Sequence, residues 1–144
     1  GGVEDPARGG GVVGCLRVAF DPRTQRRERV AAGPRAAALL GMHPQELSAR
    51  LGAFELDLPF VGLDSFPNYF YELLHASDRT CSRYLRLASG PPGPGRRGIL
   101  VHWTTVKDEA QVEHRLRAIS AAEYDDAVAR WPGLCPLVLM GDAR

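Results

Sequence analysis

From Glu28 to Leu51 the chain reads ERVAAGPRAAALLGMHPQELSARL, and two proline and glycine pairs punctuate it. Pro34 suits the first turn of a helix, where its missing N–H would have no intrahelical acceptor, and Gly41 stands where a left-handed C-terminal stop is wanted. Pro44 and Gly52 repeat the start and stop, with Leu47 and Leu51 four apart on one face. A short strand followed by two helices of one or two turns each is the reading of this segment.

Strand signals lie on both sides of it. Between Cys15 and Phe20, apolar Leu16, Val18 and Phe20 alternate with Arg17 and Ala19, the period of a strand with one buried face. Asp21 and Pro22 start a turn, and Gln25 to Ala32 returns as a hairpin with Val30 and Ala32 on the buried face and Arg27 and Arg29 in water. Arg79 to Ala88 reads as a strand through Cys81, Tyr84, Leu85 and Leu87, with a muddled alternation. Ile99 to Val106 places Ile99, Val101, Trp103 and Thr105 on one side and Leu100, His102, Thr104 and Val106 on the other. Gln111 to Ile119 is the clearest, with Val112, His114, Leu116 and Ala118 alternating against Glu113, Arg115 and Arg117.

Asp64 or Ser65 can cap a helix running to Ser77 with Phe66, Phe70, Leu73 and Leu74 on one face. Residues 53–63 before it form an apolar connector without a clean period. The loop SGPPGPGRRG, residues 89–98, lacks amide donors at its prolines and is entropically costly to order at its glycines, so mobility is expected. Ser120 and Glu123 fit a capping box for a closing helix, Ala121 to Trp131, with Tyr124, Ala127, Val128 and Trp131 on one face. The tail after it holds an apolar run, Leu137 to Met140, suited to an edge strand or to docking on a partner.

One domain is expected from 144 residues of which 44% are apolar. Eighteen basic against seventeen acidic side chains give a net charge of +1, too little field to draw in nucleic acid or an anionic membrane. Cys15, Cys81 and Cys135 are odd in number and far apart, which argues for a reducing compartment, cytoplasmic or nuclear. No apolar run approaches the ~20 residues needed to cross a bilayer. The glycine-rich opening, residues 1–14, reads as a disordered linker.

Two strands, several short helices and three more strands give an α+β domain in which a five-stranded antiparallel sheet covers one face with helices. This order, with AALLGMHPQELSARL after the second strand, resembles the PAS sensor family over residues 15–120, leaving 121–144 as a flanking helix and tail. Cys135, Pro136, Gly141 and Asp142 after the closing helix are similar to the PAS modules of algal and other protist transcription regulators. The resemblance implies a sensory module in signal transduction or transcription regulation, associating as a homodimer or with another PAS-containing protein and holding a small molecule in an inner cavity.

Strand alternation turns His114 inward, toward the place where PAS relatives hold cofactors. There it is either a core histidine bonded to a neighbouring group or a ligand for haem or a small molecule. His75, closing the aromatic helix, is a cap favoured by the helix dipole or, by the resemblance, a second haem ligand candidate. Tyr69, Phe70, Trp103 and Leu116 are candidate pocket walls or simply core. Leu100, His102, Val106 and Ile119 make an apolar outer face that either the closing helix, through Tyr124, Val128 and Trp131, or another subunit must cover. A light-sensing flavin of the LOV type needs a cysteine in an Asn-Cys-Arg-Phe-Leu-Gln-like segment, which the chain lacks. The cysteines and histidines form no closely spaced zinc pairs, and no nucleophile elbow, P-loop or dinucleotide motif occurs. The expectation is a non-enzymatic PAS-type module, with a haem sensor and a ligand-free structural interaction domain as alternatives.

Overall fold

The structure, a computed structural model, describes residues 13–24, 26–52, 65–90 and 94–139, without the side chains of residues 65–67, 69, 137 and 139. The linker expected over 1–14 and the connector over 53–63 lie outside the described residues except for Val13 and Gly14, which belong to the first strand. Strands β1 (Val13–Phe20) and β2 (Arg27–Ala32) precede helices α1 (Pro34–Leu40), α2 (Pro44–Gly52) and α3 (Ser65–Leu74). Then come β3 (Thr80–Ser89), β4 (Arg97–Lys107), β5 (Gln111–Ile119) and α4 (Ala121–Arg130). A 3-10 turn at Pro132–Leu134 and the short helix α5 (Pro136–Leu139) end the described chain. The five strands form one antiparallel sheet in the order β2-β1-β5-β4-β3. This is the α+β architecture, a five-stranded antiparallel sheet with helices on one face and a closing helix, that the element order implies.

Local chemistry sets the short helices. Gly41 ends α1 in the left-handed region at φ 68°, its N–H and that of Met42 returning to carbonyls of α1. His43 starts α2, its Nδ1 accepting from the Gln45 N–H at 3.2 Å. Ala36, Ala37, Leu40 and Leu47 from these helices pack on the concave face of the sheet against Leu16, Leu85, Leu87, Val101, Trp103 and Leu116, which form the inner core.

A second cluster lies on the outer face. Tyr84 and Ile119 of the sheet are covered by Tyr124 and Ala127 of α4 and by Cys135, with Leu100, Val128, Leu134 and Val138 alongside. The closing helix thus folds back over its own sheet. Ser120 caps it, its hydroxyl accepting from the Glu123 N–H at 3.1 Å, and Arg117 of β5 donates to both Glu123 oxygens at 3.2 and 2.7 Å. Of the two readings of the tail, an edge strand or a docking segment, the described residues rule out the first: Pro136 opens a helix turn, and α5 packs on β3 and α3, beside the edge that β3 leaves open.

Two expectations for side-chain facing are corrected. Arg27 is not on the water side of the hairpin but half-buried and opposite Phe20, because a bulge between Ala19 and Phe20 skips Glu28 and brings Arg27 to the inner face. Helix α3 does not bury its Phe70, Leu73 and Leu74 stripe, whose members are 45%, 56% and 62% exposed, but turns Asn68 and Tyr71 inward. The reason for the second lies in the site.

Candidate functional site

Inner-face alternation along β3 runs Cys81, Arg83, Leu85, Leu87, which sets a guanidinium among apolar side chains. Arg83 has no exposed surface. Its planar fork is fully engaged: Nε donates to Asn68 Oδ1 at 2.9 Å, Nη1 to Thr105 Oγ1 at 2.7 Å and Nη2 to Glu72 Oε1 at 2.6 Å. The guanidinium also lies 5.0 Å from the Trp103 ring centre and 5.6 Å from that of Tyr71. Burial pushes its pKa below the ordinary arginine value, and Glu72 is the leading opposing influence. A buried cation needs polar partners, so α3 presents Asn68 and Glu72 inward and leaves its apolar stripe outside. Tyr71 follows the same side, its hydroxyl donating to the Ser82 carbonyl.

Beside this network is a cavity of about 260 Å³ between α3 and the open end of the concave face. Val18, Phe20 and Val112 give it an apolar wall, and Arg27, Glu72, Lys107 and His114 a polar one. Arg27 donates to the Leu51 carbonyl, and burial lowers its pKa against the pull of Glu72. Lys107 Nζ donates to the carbonyls of His75 and Ala76, each at 3.0 Å, just past the C-terminus of α3, where the helix dipole favours a cation.

His114 stands at the junction of cavity and network. Its Nδ1 accepts from Trp103 Nε1–H at 3.0 Å and lies 3.0 Å from Thr105 Oγ1, which itself accepts from Arg83. Indole N–H can only donate, so the imidazole lone pair is on Nδ1 and the proton of the neutral ring is on Nε2. The ring keeps some accessible surface because it lines the cavity, yet protein surrounds it closely, and that density governs its titration. Desolvation, and then the charges of Arg83, Arg27 and Lys107, push its pKa down to about 3.

Of the pocket residues expected from sequence whose side chains are described, only His114 lines the cavity. Trp103 and Leu116 are buried in the inner core, Trp103 acting on the cavity through its bond to His114. Phe70 is largely exposed, and the Tyr69 side chain lies outside the described residues. His75 is not on the cavity wall; its Nδ1 lies 2.7 Å from Asp78 Oδ2 and its ring 4.2 Å from that of Tyr71. On the outer face His102 bonds Ser82 through Nε2 at 2.8 Å and stacks on Tyr84. Ile119 and Tyr124 are buried and Leu100, Val106 and Val128 half-buried, whereas Trp131 is 47% exposed. The residues missed from sequence are Arg83, Arg27, Glu72, Thr105 and Lys107. For Arg83 a signal existed, since it is in phase with Cys81, Leu85 and Leu87.

Haem, which the family resemblance implies as a cofactor, does not fit at His114. A histidine that ligates a metal offers a lone pair from one nitrogen and donates a hydrogen bond from the other. Here the lone pair is taken by Trp103 on Nδ1 and the other nitrogen carries the proton. The cavity is also smaller than the ~300 Å³ at which pockets for drug-sized ligands begin. Among the described residues, no three His, Cys, Asp or Glu side chains come together as metal ligands, and no helix is long and apolar enough to cross a membrane.

No family model and no curated protein matches the chain. Its fold is similar to that in the structure of an RNA-binding light-oxygen-voltage receptor, with a TM-score of 0.47 and 12% identity over 81% of this chain. The match spans 34% of that receptor's chain.

Proposed function

We propose that this chain is a PAS-type sensory module, not an enzyme by itself, that holds a small molecule in the cavity at His114. Occupancy would be passed to a protein partner, a second copy or another PAS-containing protein, in signal transduction or transcription regulation. The observation that supports this reading is the cavity: a recess of about 260 Å³, open to solvent on one side and walled by apolar and ionisable side chains, has the form in which proteins hold small molecules. Arg83 gives occupancy a route outward, because one side chain ties α3 to β3 and β4. A ligand that favours one arrangement of Glu72 or His114 shifts α3, and α5 packs on α3. Trp131, Phe70, Leu73 and Leu74 supply exposed apolar surface for the partner.

A thermal-shift screen of metabolite-sized compounds on the intact chain tests the ligand half. A ligand at about a hundred times its Kd adds about 2.7 kcal/mol, a rise of roughly 5–10 °C for a domain of this size. The shift should disappear in Val112→Phe, which fills the cavity from β5. Compounds that stabilise wild type and Val112→Phe equally would show that binding, if any, lies elsewhere. Sedimentation tests the partner half, and a monomer at high concentration with and without a stabilising compound would remove the homodimer.

A further inference from the structure

On the outer face, α4 and the turns after it cover Tyr84, Leu100 and Ile119. Over β2, β1 and β5 the same face is turned away from α1, α2 and α3, and Arg29, Ala31, Arg17, Gln111 and Arg115 are exposed there. Its arginines are in regular order: Arg29 lies opposite Ala19, Arg17 opposite Glu113 and Arg115 opposite Cys15, so that each is one strand across and two residues along from the last. With strands ~4.8 Å apart and ~3.4 Å per residue, the steps of this diagonal file are about 8 Å. Cys15, Ala19 and Ala31 between them are small and leave the floor flat. Glu113 sets two of the arginines. Its Oε1 accepts from Arg17 Nε at 2.7 Å and its Oε2 from Arg115 Nε at 2.6 Å. The Glu113 side chain is 13% exposed, whereas those of Arg17 and Arg115 are 58% and 50% exposed. The two arginines hold the Glu113 carboxyl below the usual carboxylate range, so the clamp stays charged near neutral pH. A guanidinium held by Nε keeps both Nη groups for another acceptor, and among the described residues nothing accepts from those of Arg17 or Arg115.

We infer that this half of the outer face docks an acidic, extended segment of a protein partner, its carboxylates accepting from the Nη groups of Arg17 and Arg115 and, farther along the file, from Arg29. The surface lies across the sheet from the cavity and is independent of what the cavity holds. Carboxylates match the planar fork of a guanidinium, and the Glu113 clamp reduces the side-chain freedom that two of the arginines lose on binding. Alternate residues of an extended segment stand ~7 Å apart on one side, a spacing that side chains can fit to the arginine steps. A nucleic acid would also bring anions, but single strands are held by stacking on aromatic rings, and Cys15, Ala19, Ala31 and Gln111 offer none. A net charge of +1 also supplies little of the field on which nucleic-acid binding depends.

The experiment follows the fluorescence anisotropy of a labelled peptide of alternating glutamate and serine on the intact chain, against the same peptide with glutamine for glutamate and against oligouridylate. The glutamate peptide is expected to bind at least about tenfold more tightly than either, and more weakly as salt rises. Arg17→Gln, Arg29→Gln and Arg115→Gln should each weaken it by about threefold or more in chains that keep the wild-type far-UV spectrum. Arg130→Gln, which removes the same charge from the exposed side of α4, should leave it unchanged. Glu113→Ala adds net positive charge but frees both guanidiniums, and it should weaken the glutamate peptide and narrow its preference over oligouridylate. Tighter binding by Glu113→Ala, or an equal loss in Arg130→Gln, would mean unspecific attraction and overturn the docking site. Oligouridylate binding as tightly as the glutamate peptide would overturn the partner class in favour of nucleic acid. No binding of the glutamate peptide at about 1 mM would remove the surface altogether.

Discussion

The indole N–H of Trp103 donates to Nδ1 of His114 across 3.0 Å, from neighbouring strands and with the rings nearly perpendicular at 78°. Burial desolvates the ring and so disfavours its charged form, the nearby cations Arg83, Arg27 and Lys107 oppose it further, and the bond itself is made to an unprotonated Nδ1. The folded histidine therefore takes up its proton only near pH 3, whereas the unfolded one does so near 6.5. Between these values the unfolded state binds more protons, so stability is complete above about pH 6.5 and is lost as the pH falls. The expected loss attributable to His114 is about 2 kcal/mol between pH 7 and pH 5. His102, whose pKa is also lowered by burial, adds in the same direction. Urea denaturation at the two pH values should show most of this acid dependence abolished in His114→Asn, whose amide oxygen can still accept from Trp103. An unchanged dependence would assign the effect to other groups.

Arg83 serves three acceptors on two other elements, and removal of the guanidinium strands all of them. Asn68 is only 4% exposed and Thr105 also 4%, so neither regains water when Arg83 is lost. Arg83→Met is expected to cost about 3 kcal/mol or more, from two buried polar groups left without their donor and from the void left by a longer side chain. Arg83→Lys should recover little of this, since an ammonium cannot reproduce the fork. Glu72→Gln should cost less, about 1 kcal/mol, because the Glu72 side chain is 43% exposed and an amide can still accept from Nη2. Chemical denaturation of the three variants gives the order directly. Glu72→Gln as damaging as Arg83→Met would mean that charge pairing, not satisfaction of Asn68 and Thr105, holds α3 to the sheet.

How far these features can be read from the chain depends on the range of the forces involved. The proline and glycine signals of α1 and α2, the Ser120 cap and the alternation of β5 are short-range, and they were legible as written. The muddle in β3 had a physical source. Tyr84 was counted with Cys81, Leu85 and Leu87, but it faces the other way and is buried under α4, so two apolar faces overlapped while Arg83 hid in the inner one. Hydrophobicity alone turns the Phe70, Leu73 and Leu74 stripe of α3 inward, and the buried charge across from it overrides that preference. Arg27 moved inward through a bulge set by pairing with β1, which no periodicity within β2 reveals. The site is therefore less legible than the fold, because its residues owe their positions to partners many residues away.

Gly41 is required by both its backbone and its surroundings. It holds φ 68°, and a Cβ there would come within 2.8 Å of the Gly90 Cα, at the point where the Gly90 N–H donates to the Leu40 carbonyl at 3.0 Å. Gly41→Ala should cost about 2 kcal/mol or more, from left-handed backbone strain plus the displacement of the β3–β4 loop. Gly52 is the control, as nothing lies within 4 Å of a Cβ built on it. Gly52→Ala should be neutral or stabilising by about 0.5 kcal/mol. Paired thermal melts decide the matter, and equal behaviour of the two variants would show that the α1 stop is not specified at Gly41.

The outer face depends on a cover that the chain itself supplies. Tyr124 is 5% exposed over Tyr84 and Ile119, Cys135 has no exposed surface, and the Arg117 and Glu123 pair fixes α4 at the end of β5. A chain ending at Ile119 would bare Tyr84, Leu100 and Ile119 together, an apolar strip on a sheet face that water does not favour. Such a chain is expected to self-associate or aggregate at concentrations where the intact one does not. Tyr124→Ala, with α4 still present, should instead lose about 3 kcal/mol from the cavity beneath the helix without changing the association state. Sedimentation of both separates the roles. A soluble monomer from the truncated chain would mean that α4 is a dispensable passenger on the sheet, and the outer face would then be sufficiently polar, through His102, Thr104 and Arg117, to stand in water uncovered.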